Sequence, residues 1–307
     1  MAENKNFEIE PTTKILVTCG NSHLGKNVIK YLLEKKYPPE NIYSTVRTEQ
    51  KGEQWKQKGV QIRIADYSDP ESLIKAFAGI DRIYMVSSAG GDAKCPRDKQ
   101  HLNVVEAAKK CGVKLVVYSG FLNCQKNANL VANDHKYTEK ILEESGLNYS
   151  IARNASYMDC NGELFKYLNK KENNLFYNAC KDSKIGFALI RELGEAGACI
   201  LLKKEPKKIY ELAAKPISYI DIKDAMEKMT GKKIKILDAS FDDIDEKYKE
   251  LGFGLYFGFF VKFMCVDYLN GIYNIDSTDM EDLMGHPLIS LEDRIKEVID
   301  APNYFPK

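Results

Sequence analysis

A phenol one helical turn from a lysine can exchange a proton with a bound substrate, because the ammonium lowers the phenol's pKa. This chain carries Tyr137-Thr138-Glu139-Lys140. The Tyr-to-Lys spacing is three, and spacings of three and four both make neighbours on a helix. His135 is a further candidate proton donor and reads equally as a polar residue at a helix start. Lys140, Tyr137 and His135 are therefore the catalytic candidates. A second group could bind rather than react: Thr18-Cys19-Gly20-Asn21-Ser22-His23-Leu24-Gly25 follows the aliphatic run Lys14-Ile15-Leu16-Val17. It opens onto Val28, Ile29, Leu32 and Leu33, spaced as on a helix. Strand, tight loop and helix start point backbone N–H groups and a helix dipole at a phosphate. In the glycine fingerprint of such loops, Gly25 takes the third place, while the first two read Cys19 and Ser22; Gly20 is displaced by one, and Asn21 tolerates positive φ.

These residues need a scaffold, and the chain supplies repeated strand–helix units. Asn41–Val46 reads as a second strand with Arg47 at its end, the place facing an adenosine ribose. An arginine there cannot accept from a 2′-hydroxyl but can pair with a 2′-phosphate; it could also be a solvated strand end. Gly59–Ala65 is a third strand leading to Asp66 and Tyr67, with a helix started by Pro70. Asp81–Val86 ends at Ser87-Ser88, Val113–Tyr118 ends at Ser119-Gly120, and Tyr149–Ala152 ends at Arg153-Asn154. Long helices fall around Leu102–Ala108 and residues 133–145. This alternation predicts an α/β, Rossmann-type, doubly wound parallel sheet, with a ligand across the strands' carboxyl ends. Residues 1–155, with a core from about 14, form the expected nucleotide-binding domain. Residues 156–307 form a smaller C-terminal α/β lobe, some of whose segments return to the core. There, strands are expected at 208–212 and 233–237, and helices at 219–230 and 291–299.

Composition narrows the function. With 45 basic and 44 acidic residues the net charge is +1, which offers no footprint for nucleic acid or an anionic membrane. The eight cysteines form no CxxC pair and no Cys/His cluster with zinc spacing, so no metal is expected. Without a recognisable signal peptide, the cysteines suggest a reducing, cytoplasmic setting. Leu251–Leu269 is about long enough to span a bilayer, but Lys262 and Asp267 interrupt it. A buried helix or lid is expected instead. Its aromatic residues Tyr256, Phe257, Phe259, Phe260 and Phe263 could stack a flat substrate or form a core. His23 is placed to touch phosphate or solvent, and Gly285-His286-Pro287 has turn chemistry.

Taken in order, the stretches KILVTCGNSHLGKNVIKYLLEK, VRT, GVQIRIADYSDPESLIKAFAGIDRIYMVSS and NVVEAAKKCGVKLVVYSG resemble one family. So do DHKYTEKILEESGLNYSIARNASY, KKIYELA and STDMEDLMGHPLISLEDRIKEVI. The chain resembles the NmrA-like branch of the atypical short-chain dehydrogenase/reductases, particularly the bacterial-type NAD(P)H:quinone oxidoreductases. The resemblance implies NADP rather than NAD. It implies that Thr18 to Gly25 hold the pyrophosphate and Arg47 the 2′-phosphate, with Asp66 and Tyr67 near the adenine. Ser87 and Ser88 would line the nicotinamide ribose region, Lys140 would reach the ribose hydroxyls, and Asn154 and Tyr157 would border the nicotinamide and substrate. Tyr157, Phe257 and Phe260 are thus the substrate candidates. The family's loop reads approximately TGATGQLG, so Cys19 and Ser22 are departures that weaken, shift or abolish binding. Ile190 and Glu192 depart likewise from an alanine-rich helix carrying an Arg and an Asp.

Three functional readings stay open at this point. One is a reductase of quinones or similar electron-poor small molecules, acting by direct hydride transfer. Another is a non-enzymatic NADP-binding redox sensor with a regulatory protein partner, and the last is a degenerate fold with little dinucleotide binding. A monomer or homodimer is expected in each case.

Overall fold

The computed structural model describes residues 7–90, 94–126 and 130–305. Elements run β1 Ile15–Val17, α1 His23–Glu34, β2 Ile42–Val46, α2 Glu53–Lys56, β3 Gln61–Ile64, α3 Pro70–Phe77, β4 Arg82–Met85 and α4 Arg97–Lys110. They continue as β5 Leu115–Phe121, α5 Leu130–Glu144, β6 Tyr149–Asn154, β7 Ser156–Tyr157, α6 Gly162–Asn169, β8 Leu175–Asn178, β9 Phe187–Ala188 and α7 Ile190–Leu202. The remainder is β10 Ile209–Leu212, α8 Tyr219–Thr230, β11 Lys235–Asp238, α9 Ile244–Glu250, α10 Leu255–Leu269, α11 Asp279–Met284 and α12 Leu291–Asp300.

Two compact units divide the chain. The first takes the described residues up to Asn154 together with Ile190–Leu202, the residues after it through Leu212, and 282–284. Its seven strands lie in the order β10-β6-β5-β4-β1-β2-β3, every pair parallel. This is a Rossmann-type α/β sheet, and its strand order reverses between β1 and β4, where such sheets bind ligands at the strands' carboxyl ends. Both faces are covered, so the central strands are continuously apolar: Ile15, Leu16 and Val17 are all fully buried. One face packs Leu16, Leu73, Phe77, Val104, Val105, Val116 and Leu142 into a single core under α3, α4 and α5. On the other, α7 lies against α1. Close approach there requires small residues: a β-carbon at Gly194 would sit 2.4 Å from Asn27 Cβ, and one at Gly197 2.6 Å from the Tyr84 ring. Glu192 and Glu195 are nonetheless buried in α7, Glu195 lying 3.8 Å from Lys35.

The second unit holds residues 155–189, 213–281 and 285 onward. It contains two short parallel pairs, β8 with β11 and β7 with β9. α8 begins with a capping box between Ser218 and Asp221 and stops at Gly231, φ +69°. The aromatic segment is only partly buried. α10 turns Phe257, Val261, Met264, Cys265 and Tyr268 inward and leaves Leu255, Tyr256 and Phe259 exposed, so the expectation of a buried helix holds for one face alone. Among the described residues no helix is long and apolar enough to cross a membrane.

Candidate functional site

The loop after β1 is built around its neighbours. Gly20 packs down on β2, where an added β-carbon would lie 1.8 Å from Ser44 Oγ. Its carbonyl accepts from the buried Trp55 indole at 2.8 Å and its N–H donates to Thr45 O at 3.0 Å. Gly20 therefore does not take over a neighbouring glycine's place. Cys19 does: it stands at φ +51°, a conformation that costs a β-carbon-bearing residue roughly 1–2 kcal/mol. Its N–H donates to Thr45 Oγ1 at 3.2 Å, and burial pushes its thiol pKa up. Ser22 caps α1, its Oγ accepting from Gly25 N–H at 3.0 Å. A β-carbon at Gly25 would meet Cys19 O at 2.5 Å, so helix and loop touch only because this residue is glycine. With the Cys19, Gly20, Ser22 and Gly25 N–H groups already bonded, an anion here would meet the remaining N–H groups of the loop and of α1's first turn, beside the exposed His23.

Thr18 and Tyr67 brace the strands instead of meeting solvent. Thr18 Oγ1 accepts from Val86 N–H at 2.9 Å, and the buried Tyr67 hydroxyl lies 2.6 Å from Thr18 Oγ1 and 2.8 Å from Val86 O. The Tyr67 hydroxyl thus points into the fold, between the ends of β1 and β4. Asp66 is half-buried and accepts from the Ser68 hydroxyl and N–H at 2.6 and 2.9 Å, which hold its carboxyl below the usual range. Arg47, exposed at the end of β2, lies within electrostatic reach of Asp66 and adds to that effect.

Beyond β4, a buried polar chain fixes the next segment. Ser87 N–H donates to Ser119 Oγ at 2.7 Å, and Ser88 N–H to His101 Nε2 at 3.1 Å. His101 Nδ1 is therefore the protonated nitrogen and donates to Thr138 Oγ1 at 2.7 Å, which passes its own hydrogen to Asp134 O. Burial drops the His101 pKa to about 3. His135 lies on the inner face of α5, stacked on Phe121 with its Nδ1 2.7 Å from the Tyr118 hydroxyl. Burial holds its pKa well below the usual value; it is a neutral core histidine, not the polar helix-end residue expected. Lys140, the expected ribose contact, sits on a different face of α5. It leaves the inner face, its side chain is 68% exposed, and its Nζ faces Glu144.

The inner face of α5 instead offers Glu139. Arg153 grips it at 2.8 and 2.7 Å and reaches Glu211 at 2.8 Å. Burial pulls the Glu139 pKa up, but the Arg153 fork prevails and holds it low. Next along β6, Asn154 is 4% exposed, and neither its amide nitrogen nor its oxygen has a partner among the described residues. Ser88 Oγ is likewise buried without one. Orphaned polar atoms at strand carboxyl ends are what a site made for a polar ligand leaves behind. A dinucleotide fits this edge: helix start, cation at β2, unsatisfied amide and hydroxyl at β6 and β4.

The substrate candidates belong to the second unit. Tyr157 is half-buried near the Tyr304 ring, and Phe260 lies near Phe305. Phe257 is fully buried, its ring 5.0 Å from those of Tyr248 and Phe253, and so packs in the core of this unit. Sequence reading missed Trp55, Ser119, His101, Thr138 and the Glu139–Arg153–Glu211 network. The last had a signal, since Glu139 falls on the same helical stripe as His135 and Leu142. Among the described residues no group of side chains could hold a metal.

A family model described as NAD(P)H-binding matches residues 20–179. The chain belongs to this NAD(P)H-binding family. It is 28% identical over 291 residues to quinone oxidoreductase 2 of Escherichia coli, covering 94% of this chain and 100% of the relative. An NmrA-like family domain-containing oxidoreductase, flvB of Aspergillus flavus, is 25% identical over 75% of this chain and 76% of its own. Among solved structures, the Citrobacter sp. triphenylmethane reductase complexed with NADP(H) superposes with a TM-score of 0.85 at 27% identity, covering 93% of this chain and 99% of that one. The resemblance drawn from the ordered motifs is thus to the right family.

Proposed function

We propose that the chain is an NADPH-dependent oxidoreductase that reduces quinones or similar electron-poor small molecules. The observation that carries this reading is the carboxyl edge itself, where Arg47 stands free of the sheet at β2 and the buried Asn154 amide waits unpaired at β6. The full-length likeness to a quinone oxidoreductase and the likeness to a triphenylmethane reductase support the substrate class. In this reading α1's first turn and Ser22 hold the pyrophosphate, Arg47 the 2′-phosphate, and Ser88 and Asn154 the nicotinamide end. The bound cofactor supplies a hydride. The chain's own work is to hold and orient, because the Tyr118–His135 pair is buried and neutral and Lys140 faces away. An electron-poor ring tolerates that arrangement, since its protons can come from water. The reaction belongs in the cytoplasm, in a monomer or homodimer.

The test is a titration followed by nicotinamide fluorescence. Arg47→Ala should weaken NADPH about 10- to 100-fold, the worth of one charge-assisted contact, and leave NADH nearly unchanged. Turnover of a simple quinone should follow. No saturable binding of either nucleotide would overturn the proposal. The outward turn of Lys140 favours a second reading, a redox sensor with a regulatory protein partner; it would bind NADPH without turnover.

A further inference from the structure

Cys180 follows β8 and Cys265 sits in the third turn of α10, both inside the second unit. Their Sγ atoms are 2.7 Å apart across 85 residues of chain, closer than two unbonded sulfurs rest. Neither is more than 1% exposed. The turn that carries Cys180 is pinned: its N–H donates to Asn178 Oδ1 at 2.9 Å, Asn178 Nδ2 donates to Lys181 O at 2.6 Å, and Lys181 stands at φ +53°. On the other side, Cys265 is carried by a helix whose inner face packs Phe257 and Tyr268. Two thiols held in contact from independent elements are within reach of a bond, which would shorten their separation to about 2.05 Å. Other cysteines are engaged differently: Cys124 donates to Glu139 and Cys111 to the Ile74 carbonyl.

We propose that Cys180 and Cys265 form a redox-active dithiol, which a hydroperoxide closes to an intramolecular disulfide fastening the turn after β8 to α10. The contact favours an asymmetric pair. Either sulfur can donate its S–H to the other, and a thiolate formed at one, taken here as Cys265, is held by the remaining S–H of its partner. The Cys265 thiolate attacks one peroxide oxygen, breaking the O–O bond and releasing water after protonation, and becomes a sulfenic acid. The Cys180 sulfur then attacks the sulfenic sulfur and displaces hydroxide, which leaves as a second water with the Cys180 proton. Two thiols and one hydrogen peroxide give one disulfide and two waters. Because both sulfurs are buried, the reaction passes through a local opening of the second unit and is slow.

The test treats the full chain with hydrogen peroxide, then traps remaining thiols with N-ethylmaleimide in denaturant and maps the peptides by mass spectrometry. The expected product links the Cys180 and Cys265 peptides, is lighter by two hydrogens, and reverts with dithiothreitol. The oxidised chain should melt about 5–10 °C higher, as closing a long loop predicts. Cys180→Ala and Cys265→Ala should each lose both the link and the shift. If either variant fails to fold, the wild-type peptide map decides unaided. Recovery of both residues as separately alkylated thiols, or over-oxidation of one with no link, at the highest peroxide concentration the fold survives would overturn the proposal.

Discussion

A buried amide with neither end bonded costs about 1–3 kcal/mol, and Asn154 is in that position at the end of β6. Asn154→Leu is therefore expected to stabilise the cofactor-free chain by about 1 kcal/mol in urea unfolding while weakening NADPH. A variant that binds NADPH as before would show that the amide serves no ligand. Gly25→Ala tests the opposite kind of residue. Its β-carbon would meet the Cys19 carbonyl at 2.5 Å, and overpacking of this kind costs about 1–3 kcal/mol, readable as a lower urea midpoint together with weakened NADPH binding. Gly25 and Arg47 were legible in the sequence because a glycine before a helix and a cation after a strand announce their geometry. Cys19 was not, since nothing in a cysteine's identity reveals a positive φ. His135 misled because a histidine near a helix start reads as solvated until its ring is seen on Phe121.

On α5, one residue of rotation separates Glu139, clamped by Arg153, from Lys140 in solvent. Glu139→Ala should destabilise the first unit by about 3 kcal/mol, because it strips Arg153 of its main partner inside the fold; thermal melting checks this. A destabilisation under 1 kcal/mol would mean that Glu211 alone satisfies the guanidinium. Element existence was legible wherever an apolar period ran long enough, so β1 to β6 and α8 fall where alternation placed them. β7, β8 and β9 did not announce themselves, being two to four residues long and set by tertiary pairing. α10 was ambiguous because apolar residues ring it on all sides, which leaves no period to say which face is inward.

For the molecule as a whole, the two buried histidines set an acid limit. His101 drops from an ordinary 6.5 to about 3 on folding, and His135 drops too, so between those values the unfolded chain binds more protons than the folded one. Stability is then full above about pH 6.5 and falls as the pH is lowered, by up to about 1.4 kcal/mol per pH unit for each histidine. Urea midpoints at pH 5, 6 and 7 check this, and His101→Gln should flatten the slope; a midpoint independent of pH would contradict it. The path of the chain carries a different consequence. α7 and β10 come from beyond the second unit's first segment, yet α7 covers α1 and β10 completes the sheet beside β6. A nascent chain that has emerged only through Asn154 therefore displays an open strand edge and a bare apolar face. The first unit's sheet and apolar face stay incomplete until about sixty more residues are made, an interval in which an open strand edge and uncovered apolar surface favour association with other chains.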